Sequence, residues 1–270
     1  MTVNAEIPVA MTIAGSDSGG GAGIQADLRT FAMHTVHGTS AITCVTAQNT
    51  TGVERVDALP AEAVAAQIRA VADDIGIQAA KTGMLLNSEI IETVAATLHD
   101  RPIPHLVVDP VMVSRTGAQL INDDAVAALR SHLLPMASVI TPNLYEAQML
   151  SGREIHSLDD MSAVASVIFD MTNVPVLVKG GAMTNRDRGV DVWCDGKMML
   201  TLKTECVDTQ DTHGTGCTLS AAIAANLAKG LDLTTAVRTA KTYVTQALKY
   251  SLRIGSGQGP VGHFFQFLTL

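Results

Sequence analysis

The sequence predicts an α/β fold, a mostly parallel central sheet with helices on both faces. Two observations predict it. Short apolar runs rich in β-branched residues alternate along the chain with stretches of helical periodicity, and that alternation specifies crossover connections and a parallel sheet. Glycine clusters also stand where a strand hands over to a helix, at 15–23 and again just before 215. The 270 residues are 47% hydrophobic and 16% charged, which excludes a disordered chain. At 3% aromatic, the core has to be built from Ala, Val, Ile, Leu and Met.

Residues 9–14 read as the first strand, followed by a glycine-rich turn and a helix over 22–34. A β-branched strand over 39–47 precedes a helix over 61–74, which sets Val64, Ile68 and Val71 on one face. A short strand follows at 79–85, and Asn87 can cap a helix over 88–99. The apolar strand at 106–111 is broken by Asp109-Pro110, a helix spans 124–134, and a strand at 138–141 ends at Pro142. The next helix, 144–150, closes at Gly152, and Ser157 to Asp160 has the spacing of a capping box that opens a helix to 171. A strand at 175–179 runs into Gly180-Gly181. Asp195-Gly196 between the runs 190–194 and 197–202 is the strongest short hairpin signal there is. A helix over 215–228 stops at Lys229-Gly230, and the final one spans 234–250. No linker, repeat or low-complexity tract intervenes, so residues 1–270 are expected to form a single domain.

The net charge of −8 and the lack of any basic block argue against nucleic acid as a partner. An acidic chain can still bind phosphate through backbone N–H groups. Residues 1–6 carry neither a positive n-region nor an apolar h-region, and no apolar run approaches the roughly 18 residues of a membrane span. Cys44, Cys194, Cys206 and Cys217 form no C-x-x-C pair and read as reduced thiols. The expected location is the cytoplasm.

In open α/β sheets ligands bind beyond the carboxyl ends of the strands, so the residues there are the ones to inspect. Five glycines between 15 and 23 let a backbone approach a ligand closely, unless the turn is simply flexible. The dinucleotide pattern G-x-G-x-x-A is present from Gly21 to Ala26, but no Asp or Glu occurs from Leu28 to Val53 to hold a ribose. No Walker A sequence follows either. Asp27, one helical turn further on, is either a solvated carboxylate or an acceptor for a bound heterocycle. A second turn, Asp211-Thr212-His213-Gly214-Thr215-Gly216-Cys217-Thr218, precedes a strongly apolar helix. Glycines there expose N–H groups at the positive end of the helix dipole, an anion site suited to a transferring phosphoryl group. Cys217 in that first turn is either a reactive thiol of lowered pKa or a small buried apolar residue. Asp109 and Glu146 follow neighbouring strands with Asn143 between Pro142 and the helix of Glu146, a set of oxygens that suits Mg²⁺. Lys179 ends a strand as a point charge for a phosphate, and together these residues read as phosphoryl-transfer machinery. His34-x-x-His37 lacks partner ligands and reads as a helix end. No G-x-S-x-G elbow supplies a hydrolase nucleophile.

The motifs Ala14 to Asp27, Lys81 to Leu85, Val108 to Met112, Thr141 to Ala147 and His213 to Thr218 occur in one order. In them the chain resembles the hydroxymethylpyrimidine/phosphomethylpyrimidine kinases of thiamine biosynthesis, in the ribokinase-like superfamily. The resemblance runs from about residue 9 to the tail segment 257–263. A pyridoxal kinase branch shares most of these motifs. The resemblance implies a three-layer α/β/α fold with a peripheral hairpin, and a kinase using ATP and Mg²⁺. It implies that Gly15, Asp27, Gln48, Gly83, Met84 and Val111 surround the pyrimidine. It gives Asp109 and Glu146 to Mg²⁺ and water, and Asn143 and Lys179 to the ATP phosphates. Cys217 stands where the sugar kinases carry a catalytic Asp, so the general-base role falls to it, and the N–H groups of Gly214, Thr215, Gly216 and Cys217 form the anion turn. The expected partners are a small pyrimidine and a second copy of the chain, as a dimer, with no nucleic acid and no membrane.

Overall fold

A computed structural model describes residues 7–112, 121–184 and 186–268. The chain runs β1 (Val9–Asp17), α1 (Gly23–Met33), β2 (His37–Gln48), β3 (Val53–Ala58), α2 (Ala61–Asp74), β4 (Ala79–Thr82), α3 (Ser88–Asp100), β5 (His105–Val108) and α4 (Asp123–Ala128). It continues through β6 (Val139–Ile140), α5 (Leu144–Ser151), α6 (Leu158–Thr172), β7 (Val176–Val178), β8 (Asp191–Cys194), β9 (Met199–Leu202), α7 (Thr215–Ala228) and α8 (Leu233–Lys249). The strands form one sheet in the order β3-β2-β1-β4-β5-β6-β7-β8-β9. From β2 to β7 every neighbouring pair is parallel, and β3, β8 and β9 join antiparallel at the two edges. The predicted α/β fold with a mostly parallel sheet and an edge hairpin is the fold observed.

Strand side chains alternate between faces with a period of two, and here both faces are covered. Met11, Ala80, Val108 and Ile140 point to one side and pack with α2 to α6, through residues such as Val64, Ile91, Leu150 and Ile168. Their neighbours Ala10, Ala79, Val107 and Val139 point to the other side, against α1, α7 and α8, through Phe31, Ile223 and Val244. That is why the strands read as continuous apolar runs rather than alternating ones. Each fully buried Val, Leu or Ile contributes roughly 1.5–3 kcal/mol. Caps end the helices where expected. Asn87 accepts from the N–H of Ile90 at 2.9 Å, Ser157 from that of Asp160 at 3.1 Å, and Gly152 closes α5 at φ 70°. His34 terminates α1, its Nδ1 2.9 Å from the Thr30 carbonyl.

Four elements differ from expectation. β1 runs three residues further, carrying Gly15, Ser16 and Asp17 through a bulge against β2. β3 had no sequence signal, because all six of its residues are exposed and none has a core face to mark. β4 stops at Thr82, where the Gly83 N–H still bonds to the Ile13 carbonyl at 2.9 Å. The helix expected at 124–134 is regular only to Ala128, then widens through Leu129–Leu133 before Pro135, which has no N–H to continue it.

Past α8 the chain turns back as a strap over 251–263. Gly257 and Gln258 donate to Thr50, at 3.2 and 3.0 Å. Gly259 donates to Asp211 at 2.9 Å and accepts from the His213 N–H at 3.1 Å, and Val261 donates to the His213 carbonyl. No described helix is long and apolar enough to cross a membrane.

Candidate active site

The parallel strands all end at one edge of the sheet, and the singled-out residues collect there. The two glycine turns, nearly 200 residues apart in sequence, touch. Gly214 caps α7 in the left-handed region at φ 79°, and a Cβ on it would stand 1.8 Å from the Gly21 carbonyl oxygen. Only glycine fits that approach. No side chain caps α7, and of its first N–H groups that of Thr215 donates to the Thr212 carbonyl at 3.3 Å.

Behind that turn lies a chain of buried charges. Lys179 Nζ is 2.7 Å from Asp109 Oδ1, Ser220 donates to Asp109 Oδ2 at 3.1 Å, and Thr141 donates to Oδ1 at 3.3 Å. Gly216 lies directly over the pair, with a Cβ position 3.3 Å from Lys179 Nζ and 3.9 Å from Asp109 Oδ2. Asn143 and Glu146 form a reciprocal cap on α5. The Asn143 N–H donates to Glu146 Oε2 at 2.7 Å, and the Glu146 N–H donates to Asn143 Oδ1 at 3.0 Å. Burial, reinforced by the Asp109 charge, pushes the Glu146 carboxyl up to about 8 although Lys179 pulls it down. Burial also works to raise Asp109, but Lys179 and Lys81 outweigh it and hold that carboxyl low. Two buried carboxyl groups, close enough for the charge of Asp109 to act on Glu146, offer the oxygen donors that a hard cation takes. Among the described residues no group of three or more His, Cys, Asp or Glu makes a dedicated metal cage. That fits an ion that takes one or two protein carboxylates and fills its shell with water and phosphate.

Several expectations need correction. Asp109 and Glu146 are buried, and Lys179, expected as a free point charge, is half-buried and already neutralised by Asp109. Asp27 is fully buried, so the solvated reading fails. Its Oδ2 accepts from Thr12 at 2.6 Å and from Lys81 at 2.9 Å. Burial tends to discharge Lys81, but Asp27, with Asp109 beyond it, keeps the ammonium charged. Cys217 does lie in the first turn of α7, yet its thiol is not lowered. Burial pushes it up to about 11, against the opposing pull of Lys81 and the Gly23 N–H.

The proposed heterocycle side is assembled from β1, β2 and β4. Gly15 packs against Met84 and Cys44, at 3.0 and 2.7 Å from where its Cβ would stand. Gly83 leaves room for the Lys81 ammonium, and Val111 is half-buried two residues past Asp109. Gln48 ends β2 beside the second glycine turn, its Nε2 3.4 Å from His213 Nε2. Sequence reasoning missed four side chains that hold this arrangement: Asp17, Lys81, His213 and Ser220. Lys81 alone left a clear trace, a charged residue inside a short apolar strand.

The family model described as phosphomethylpyrimidine kinase matches residues 17–262. The chain belongs to this family. A hydroxymethylpyrimidine/phosphomethylpyrimidine kinase of Synechococcus elongatus is 61% identical over 259 residues, covering 96% of the chain and 98% of that protein. A chloroplastic thiamine biosynthetic bifunctional enzyme of Arabidopsis thaliana is 47% identical, covering 96% of the chain and 51% of that longer protein. Among solved structures, an ADP complex of Bacillus subtilis pyridoxal kinase superposes with a TM-score of 0.91 at 40% identity, covering 98% of the chain and 100% of the other. The pyrimidine-kinase resemblance and the ribokinase-like fold expected from the motifs are therefore those of the family.

Proposed function

We propose that this family member transfers the γ-phosphoryl group of ATP to the hydroxymethyl oxygen of 4-amino-5-hydroxymethyl-2-methylpyrimidine, and then a second phosphoryl group to the monophosphate, in thiamine biosynthesis. The observation that carries the reading is the stacking of the uncapped Gly214-Thr215-Gly216-Cys217 turn over the Lys179–Asp109 pair. The N–H groups of that turn hold the transferring phosphoryl, whose charge is spread over its three oxygens. Lys179 and Asn143 meet the ATP phosphates. Asp109 and Glu146 would hold Mg²⁺, which when bound would neutralise charge on the phosphate oxygens, and Glu146 would ligate it as the carboxylate. The thiolate form of Cys217 accepts the hydroxymethyl proton late and returns to the thiol, since a loose transition state asks little of a base. Gly15, Gln48, Gly83, Met84 and Val111 enclose the pyrimidine, with Asp27 acting from below through Lys81.

A pyridoxal kinase on the same scaffold is the second reading, favoured by the superposition with the Bacillus subtilis enzyme. One assay separates them: hydroxymethylpyrimidine, its monophosphate and pyridoxal offered at equal concentration with ATP and Mg²⁺. The pyrimidine and its monophosphate are the expected preferred substrates by kcat/KM. A wild type that favours pyridoxal would overturn the pyrimidine assignment.

A further inference from the structure

Asp17, His213 and Gln48 form a cluster at the meeting point of β1, β2 and the turn into α7. Asp17 gathers the first glycine turn, accepting from the N–H groups of Gly19, Gly21 and Ala22 at 2.9, 3.1 and 2.8 Å. It also lies 2.9 Å from His213 Nε2. Burial works to raise its carboxyl, but the His213 bond and these N–H groups outweigh it and hold it below the usual range. Asp17 is therefore an ionised, acceptor-only partner, and His213 Nε2 must carry a hydrogen toward it.

That hydrogen decides how Gln48 lies. One end of the Gln48 amide faces His213 Nε2 at 3.4 Å, and the other faces the Thr46 hydroxyl at 3.2 Å. Oxygen and nitrogen of an amide have nearly the same shape, so proton accounting assigns the ends. Thr46 has one hydroxyl proton and gives it to the Ser16 carbonyl at 2.9 Å, leaving a lone pair toward Gln48. The His213 N–H, given to Asp17, shows the amide no lone pair and can be shared only with an oxygen, and a lone pair on Thr46 needs a donor. Both demands are met by one orientation, with Oε1 toward His213 and the NH₂ toward Thr46. The other orientation sets donor against donor at one end and acceptor against acceptor at the other.

We propose that His213, held by Asp17, is a specificity-determining positioning residue. It fixes the amide of Gln48 in a single orientation and so fixes the order of donor and acceptor shown to the substrate. The role rests on the pyrimidine kinase reading above. In that orientation Gln48 keeps one N–H and one oxygen lone pair for a ligand. An exocyclic amine beside a ring nitrogen matches that pair only one way round. Pyridoxal offers no such amine, and an unmade buried hydrogen bond costs roughly 1–3 kcal/mol, which is about 5- to 150-fold in kcat/KM.

A double-mutant cycle tests this, read as the ratio of kcat/KM for hydroxymethylpyrimidine to that for pyridoxal. His213→Ala is expected to lower the ratio about tenfold in the wild-type background and to leave it unchanged in Gln48→Ala. His213→Gln, which keeps an N–H donor near the Nε2 position, is expected to restore most of the ratio. A thermal melt of each variant separates loss of fold from loss of selectivity. An unchanged ratio in His213→Ala, or an equal fall with Gln48 already removed, overturns the role for His213. A wild type that phosphorylates pyridoxal in preference to the pyrimidine overturns the kinase assignment instead, and this role with it.

Discussion

Two groups behind the glycine turn are each held in one charge state, Cys217 by burial and Lys81 by a neighbour that outweighs burial. With its thiol pushed up to about 11, Cys217 is overwhelmingly protonated near neutral pH, and the thiolate fraction rises about tenfold per pH unit below that value. If it takes the substrate proton, turnover should keep climbing between pH 7 and 10. Cys217→Ala should lose roughly 10²-fold in turnover together with that climb. A variant that keeps the climb would move the base elsewhere and leave Cys217 as packing beside the anion turn. Lys81 and Asp27 make the second case. Removing Asp27 alone strands an ammonium in a dry core, at a cost of roughly 3–5 kcal/mol, whereas replacing both partners by apolar residues of similar size is close to neutral. Denaturant unfolding should therefore find Asp27→Leu severely destabilised and Asp27→Leu with Lys81→Met largely recovered. A single variant as stable as the double would show that the pair is not the charge couple described.

In α5, one carboxyl is both a helix cap and a candidate cation ligand; both duties favour its ionised form, and burial opposes them. The Glu146 carboxyl binds its proton more tightly in the folded chain, at about 8 against an ordinary 4.5, because it is buried beside Asp109. Its contribution to stability is full below pH 4.5 and is lost as the pH rises through 8. Melting temperatures from pH 5 to 9 should show Glu146→Gln gaining on the wild type as the pH climbs, because the amide has no proton to lose. The same variant should need more Mg²⁺ for half-maximal activity. A parallel pH dependence of the two melting curves would sink the assignment of the raised group. The glycine turn before α7, the strand-end places of Asp109 and Lys179, and nearly every helix were legible in the sequence, because each leaves a local periodic or glycine signal, whereas the Asn143–Glu146 cap was not read there. What was not legible is pairing between distant elements. Lys179 looked like a free cation until Asp109, 70 residues away, was found against it. His213 stood in the glycine turn with nothing local to show its partners, which lie on β1 and β2. β3 was missed for the converse reason, because an edge strand exposed along its whole length writes no apolar pattern.

The sheet draws its two ligand-facing turns from opposite ends of the chain and presses them together at Gly21 and Gly214. A methyl group on residue 214 would collide with the Gly21 carbonyl and force a side chain into the left-handed region. Gly214→Ala should then separate the turns and abolish most turnover while the two hydrophobic layers, which it does not touch, keep the far-ultraviolet circular dichroism of the wild type. Activity near the wild-type level would show that this contact is dispensable. The strap over 251–263 closes the same junction from outside, bonding Thr50 at one end of the cleft and Asp211 and His213 at the other. A ribosome makes that segment only after α8. Shortening the chain at about residue 251 should therefore leave the sheet and both helical layers in place and remove the tie that joins Thr50 to Asp211 across the cleft.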